Sequence, residues 1–152
     1  MNKKELEDYL KSKFKFLQSD FGFSCKIVDG DMAEILLKYN SFLKNKMISM
    51  QFYFGGGLYY NNLILSRPLL NFISLSSINK FDNAIDIREY SFEISNGEIT
   101  KEDFNKQGSF NYSINELNHD IKLHTRLLKR RLHKELSSCR WTDFNKIRRE
   151  NI

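Results

Sequence analysis

The stretch from Lys46 to Ser66 reads KMISMQFYFGGGLYYNNLILS. Its first half alternates strictly. Met47, Ser49, Gln51 and Tyr53 fall on one side of an extended chain, and Ile48, Met50, Phe52 and Phe54 on the other. Period-two alternation in apolar and aromatic residues is the mark of a strand with one buried face. Gly55, Gly56 and Gly57 interrupt it, and Leu58–Ser66 returns with residues of the same character, which predicts an antiparallel neighbour.

Working outward, Ser24–Val28 and Met32–Tyr39 flank Asp29, Gly30 and Asp31, a tight-turn signal that predicts a preceding hairpin. Four strands in this order form a meander. Leu69–Ser77 is a short apolar run that periodicity alone does not assign, and it is read here as a short helix. Ile85–Ile94 is predicted as a fifth strand with an internal conflict. Ile85 and Ile87 share one parity, whereas Tyr90, Phe92 and Ile94 share the other. A bulge near Arg88–Glu89, or burial on both faces, reconciles the two sets.

Helices are expected on both sides of this run. Leu6, Tyr9, Leu10, Phe14 and Leu17 recur at three- and four-residue spacing, which predicts a helix over Lys3–Gln18 with Gly22 placed to stop it. Ser113 and Glu116 match a capping box, in which the serine and glutamate side chains satisfy each other's exposed backbone amides. From there Ile114, Leu117, Ile121, Leu128 and Leu132 predict one apolar stripe down to about Leu136. Trp141–Arg149 is expected as a short last helix. Helices segregated from a run of strands define an α+β fold: a sheet of about five antiparallel strands, with an N-terminal helix and a long C-terminal helix packed on it.

With 152 residues, 41% of them hydrophobic, and a single Pro at position 68, the chain is expected to fold as one domain, 1–152. The stretch Leu58–Leu75 is broken by Asn61, Asn62, Arg67 and Pro68, so no membrane span is expected. Glu5, Glu7 and Asp8 follow the opening lysines where a secretory signal needs an apolar run. Cys25 and Cys139 lie far apart in no metal-binding spacing. Free thiols and no export signal predict a cytoplasmic protein.

Chemistry-bearing motifs are sparse. The three glycines are followed by Leu58, Tyr59 and Tyr60, not by the Lys and Ser/Thr of a phosphate-binding loop, so they read as a hairpin turn. His119, His124 and His133 project at different angles from one helix, and none is paired at i+3 or i+4. His119 and Asp120 could assist a distant nucleophile, but no Ser or Cys motif points to one. No catalytic residue, metal or cofactor is therefore expected.

Charge is more informative. Residues 1–112 carry fourteen basic and fourteen acidic side chains, whereas residues 113–152 carry ten and five, which is the whole net charge of +5. On the last long helix Lys122, Arg126, Lys129 and Arg130 form an arc opposite the apolar stripe, extended by Arg131, Lys134 and Arg140. Clustered cations near aromatics such as Trp141 and Phe144 suit phosphate and base contacts, though a solvated helix face carries the same pattern. Between Asp82 and Asp103 the sign reverses. There Asp86, Glu89 and Glu93 are the candidate acidic docking surface, with Glu89, Ser91 and Glu93 aligned if the segment is a strand.

The opening segment Leu6–Phe23, LEDYLKSKFKFLQSDFGF, resembles the start of many small bacterial proteins in which a helix ends in such an aromatic pattern before a β-meander. Some of these resemble immunity proteins, which neutralise a toxin in the cell that produces it. The resemblance implies a cytoplasmic, non-enzymatic inhibitor that binds a cognate protein toxin at its active site or a regulatory surface. An inhibitor of a basic nuclease is expected to be acidic overall. Either the acidic segment docks, then, or the toxin is not a basic nuclease. The alternative is a nucleic-acid-binding module that uses the basic helix.

Overall fold

Alternation along Lys46–Phe54 does what period two requires: Ile48, Met50 and Phe52 are all fully buried, while Met47, Ser49 and Gln51 are only partly covered. The computed structural model describes residues 2–29, 34–54, 57–68, 83–105 and 112–151. Its strands are β1 (Ser24–Asp29), β2 (Glu34–Ser41), β3 (Lys46–Phe54), β4 (Leu58–Ser66) and β5 (Ala84–Asp86). They pair antiparallel in sequence order, β1-β2-β3-β4-β5, as a meander. The two predicted strand pairings are present, while the turn residues 30–33 and 55–56 lie outside the described residues. The run Leu69–Ser77 lies outside the described residues.

One bulge sets the register of the centre. Gln51 pairs with Asn62 and Phe52 with Tyr60, which leaves Asn61 as an extra residue in β4. Burial parity switches across it. Leu58 and Tyr60 precede the bulge, Leu63 and Leu65 follow it, and all four are buried. The side chain of Asn61 donates to Gln51 Oε1 at 2.5 Å across the strands.

The segment Ile85–Ile94 differs from expectation. Only Ala84–Asp86 is strand; a turn follows over residues 87–90, and Ser91–Ser95 is a short helix, α3. Here α1 (Lys3–Lys13) and α2 (Lys15–Ser19) are the preceding helices. The physical reason lies in Asp86, whose Oδ1 accepts the backbone N–H groups of Arg88 (2.9 Å) and Glu89 (3.4 Å) and turns the chain out of the sheet. Beyond that point the buried residues Arg88, Ser91 and Ile94 follow a spacing of three. The conflict of parities is therefore a change from strand to helix, with no bulge needed.

At the N-terminus Asn2 and Glu5 close a capping box on α1. The chain pauses at Phe14 and resumes as α2, so the predicted single helix is two in succession. Gly22 at φ +73° ends it, with its N–H on the carbonyl of Gln18. Leu6, Leu10, Phe14 and Leu17 are fully buried in the same cluster as the inner face of the sheet.

The Ser113 capping box opens α4 (Ile114–Arg126), which continues through a π turn (Leu127–Arg131) into α5 (His133–Ser137); α6 (Phe144–Glu150) begins after the Asp143 cap. Ile114, expected on the apolar stripe, is half exposed in the first turn, whereas Asp120 and His124 are wholly buried in phase with Leu117 and Ile121. From His124 the buried positions recur every four residues, at Leu128, Leu132 and Leu136. An α-helix drifts by about 40° at each such step. The π turn, closed by Leu132 N–H on the carbonyl of Leu127 at 3.0 Å, takes up one extra residue and holds the row against the core. No described helix is long and apolar enough to cross a membrane.

Candidate functional site

Of the three acidic candidates, Glu89 and Glu93 line one depression together with Lys101, Glu102 and Arg148, and Asp86 is not part of it. Asp86 closes the turn after β5, and burial raises its carboxyl above the usual range. Glu89 sits in that turn, and its carbonyl oxygen accepts from Arg148. Glu93, in α3, is almost covered and holds Arg148 through Nε at 2.7 Å and Nη2 at 3.3 Å. The guanidinium of Arg148 lies 3.9 Å from the centre of the Tyr90 ring. A helix replaces the expected strand: Glu89 and Glu93 both stand beside Arg148, and Ser91 is buried away from them. The ion pair of Glu93 with Arg148 ties α3 to α6.

Glu98 extends this pattern. It bridges Arg126 and Arg131, which hold its carboxyl below the usual range. Arg126 thereby leaves the predicted basic arc. The remaining three, Lys122, Lys129 and Arg130, stay exposed and are joined by Lys13 of α1. Among the described residues none of these four is in an ion pair.

Two adjoining open depressions lie among these cations. One is bounded by Tyr9, Lys13, Asn118, Lys122, Thr125 and Lys129, the other by Lys122, Thr125, Arg126, Lys129 and Arg130. The Tyr9 hydroxyl donates to Asn118 and pins α1 to α4. Lys13 Nζ stands 5.6 Å from the Tyr9 ring centre and Lys129 Nζ 4.6 Å from that of Phe16, so aromatic faces orient both ammonium groups without neutralising them. The π turn carries Lys129 and Arg130 on adjacent positions beside the groove.

Sequence reasoning missed a second polar site, inside the core. Tyr60 Oη lies 2.7 Å from Nδ1 of His124, with both rings buried. Burial, reinforced by the charge of Arg88, lowers the imidazole well below its ordinary range and keeps it neutral. Burial likewise keeps the Tyr60 phenol protonated. The arrangement that satisfies both groups has Tyr60 donating to Nδ1, which puts the imidazole hydrogen on Nε2.

Asp120, one turn earlier, accepts from the backbone and side-chain amides of Asn105 (3.0 Å each) and from the Tyr112 hydroxyl (3.1 Å). Arg88 lies against the rings of Tyr60 and Phe104. The signal was present in the sequence: Asp120 and His124 stand at i and i+4 in phase with Leu117, Ile121 and Leu128.

The other two histidines do not join this cluster. His119 is exposed, with Nε2 2.7 Å from the carbonyl of Asp103, and His133 packs edge-on to Phe21. Among the described residues no group of His, Cys, Asp and Glu has the geometry of a metal site. The chain matches no protein-family model, no curated protein and no solved structure.

Proposed function

We propose that this chain is a non-enzymatic binding protein of the immunity type, which neutralises a cognate toxin in the cytoplasm by docking on it through the basic face of α4 and the π turn. The observation that carries the reading is a cluster of four cations around two open depressions. Lys13, Lys122, Lys129 and Arg130 are in no ion pair among the described residues, while Glu93 and Glu98 close on arginines of their own chain. Free cations around open depressions steer an anionic surface and fix its register. The partner this face suits is a toxin with an acidic docking surface, and the likeness of Leu6–Phe23 to immunity proteins supports a protein partner.

Nucleic acid is the second reading, favoured by the same four cations, three of which (Lys13, Lys122 and Lys129) share a depression with Tyr9. One experiment separates the two. The tagged protein is co-expressed with the products of adjacent genes and recovered with and without nuclease, alongside the double variant Lys129→Glu, Arg130→Glu. A stoichiometric protein that survives nuclease and is lost with the variant supports the immunity reading. Recovery of nucleic acid with salt-dependent affinity replaces it with the second. A partner retained in full by the variant rejects the basic face.

A further inference from the structure

The turn between β2 and β3 holds two apolar side chains in water, one beside the other. Phe42 is 80% exposed and Leu43 89%, whereas no other large apolar side chain among the described residues exceeds 50%. Neither belongs to the core cluster. A single exposed leucine is ordinary, but an adjacent pair on a projecting turn is the kind of apolar surface that marks a contact.

This tip is braced. Asn45, at φ +52°, closes it by donating its N–H to the Phe42 carbonyl at 3.1 Å. Cys139 Sγ donates to the Leu43 carbonyl at 3.4 Å. Both carbonyls of the pair are therefore engaged within the protein, so the pair can leave water without stranding those oxygens. Lys44 folds back, with its Nζ on the Phe21 carbonyl and 5.4 Å from the Phe23 ring centre. That places a cation behind the two apolar side chains.

The Cys139 contact also brings the basic end of the chain to the tip. Arg140 has a side chain 56% exposed, and the carboxylate 4.0 Å from it, Glu135, is only 6% exposed. Asp20, next to Phe21, is the exposed acid at the base of the tip. Phe21 meets Phe16 at 6.2 Å between ring centres, and Lys129 stands 4.6 Å from the Phe16 ring, so the basic face begins two rings away.

We propose that the Phe42–Leu43 tip inserts into the headgroup boundary of an anionic lipid bilayer, with Lys44 and Arg140 meeting the lipid phosphates. A projecting pair needs no preformed pocket, and a bilayer interface offers apolar depth and negative charge together. Two side chains are too few to anchor a protein alone, so the contact is reversible and depends on the anionic lipid. It is peripheral, spans nothing and needs no toxin.

The test is flotation of the whole protein with vesicles of phosphatidylcholine alone and of equal parts phosphatidylcholine and phosphatidylserine. Binding to the mixed vesicles is expected, reduced about tenfold or more in the double variant Phe42→Ser, Leu43→Ser. That variant should keep the urea midpoint of the unaltered protein, since neither side chain is packed in the core. Absence of binding to the mixed vesicles overturns the proposal, as does full binding by the double variant, which would assign the attraction to charge alone. A dimer or a captured co-expressed protein that the double variant abolishes, with the mixed vesicles left unbound, overturns it in favour of a protein occupant. A readout on the unaltered protein stands beside these. A lipid spin-labelled at its headgroup should broaden the amide NMR signals of Phe42 and Leu43 more than those of Lys122 and Lys129, and the reverse order overturns the proposal.

Discussion

Tyr60 in β4 and His124 in α4 meet through one 2.7 Å hydrogen bond between buried rings set edge to face, and this contact joins the centre of the sheet to the long helix. It holds only while the imidazole is neutral. The folded pKa of His124 lies well below its ordinary value of 6.5, so in acid the unfolded chain takes up a proton that the folded chain refuses. The stabilisation is complete above pH 6.5 and is lost as pH falls below it, by about 1.4 kcal/mol per pH unit until the folded pKa is reached. Urea unfolding at pH 7.5 and 5.5 should show this loss, and His124→Gln should remove most of the dependence. An unchanged slope in that variant would assign the effect to other groups.

Tyr60→Phe keeps the ring and its stacking on Phe52 but leaves Nδ1 of His124 without a partner. A buried acceptor stripped of its donor costs about 1–3 kcal/mol. Unfolding free energy should fall by that amount at pH 7.5. A loss near zero would mean that water replaces the phenol.

Lys46 is 1% exposed, yet its Nζ reaches the carbonyls of Ser138 (2.9 Å) and Arg140 (2.7 Å) and stands 6.0 Å from the Trp141 ring centre. This lysine clamps the chain beyond α5 to the first residue of β3. Lys46→Ala removes both bonds and a buried stem, so a loss of about 2–3 kcal/mol is expected. Trp141 is the sole tryptophan, and its emission should shift in the folded variant. Unaltered emission and stability would show that the clamp carries no weight.

Two ion-pair groups should respond differently to salt. Glu98, Arg126 and Arg131 are each about two-fifths exposed, whereas Glu93 beneath Arg148 is 8% exposed. Glu98→Gln should cost little, and the cost should vanish at about 0.5 M salt, where screening is short-ranged. Glu93→Gln should cost about 1–2 kcal/mol, most of it retained at that salt, because the pair is covered and hydrogen-bonded. Equal salt sensitivity of the two variants would contradict this.

Local patterns carried most of the fold. Alternation in Lys46–Phe54, Gly22 and the Ser113–Glu116 box each act within a few residues, and each lies where its chemistry places it. Ile85–Ile94 misled because a strand and a short helix follow one another inside ten residues, and a single period was sought across both. Ile114 misled because a helix's first turn can overhang the surface that the rest of it covers.

The basic residues were legible as charges, but their pairing was not. Arg126 meets Glu98 across 28 positions and Arg148 meets Glu93 across 55, and no local period encodes either contact. Asp120 and His124 were readable as polar residues at core positions, since their phase with Leu117 and Ile121 needs only helical geometry.

The π turn makes the segment from Leu127 to Arg131 one residue longer than an ordinary α-helix needs there. Deleting one of them would restore an ordinary α-helix with Leu132 seven positions after His124, a step of about 700° and so close to two full turns, which keeps the downstream row in phase. Straightening the turn at its present length would instead rotate Leu132 and Leu136 off the core by about 100°, and with them the chain that Lys46 clamps. Substitution at exposed Lys129, Arg130 or Arg131 leaves that geometry alone. The turn can therefore lose its extra residue without turning the helix, whereas adding one more would rotate the residues after Arg131 off the core.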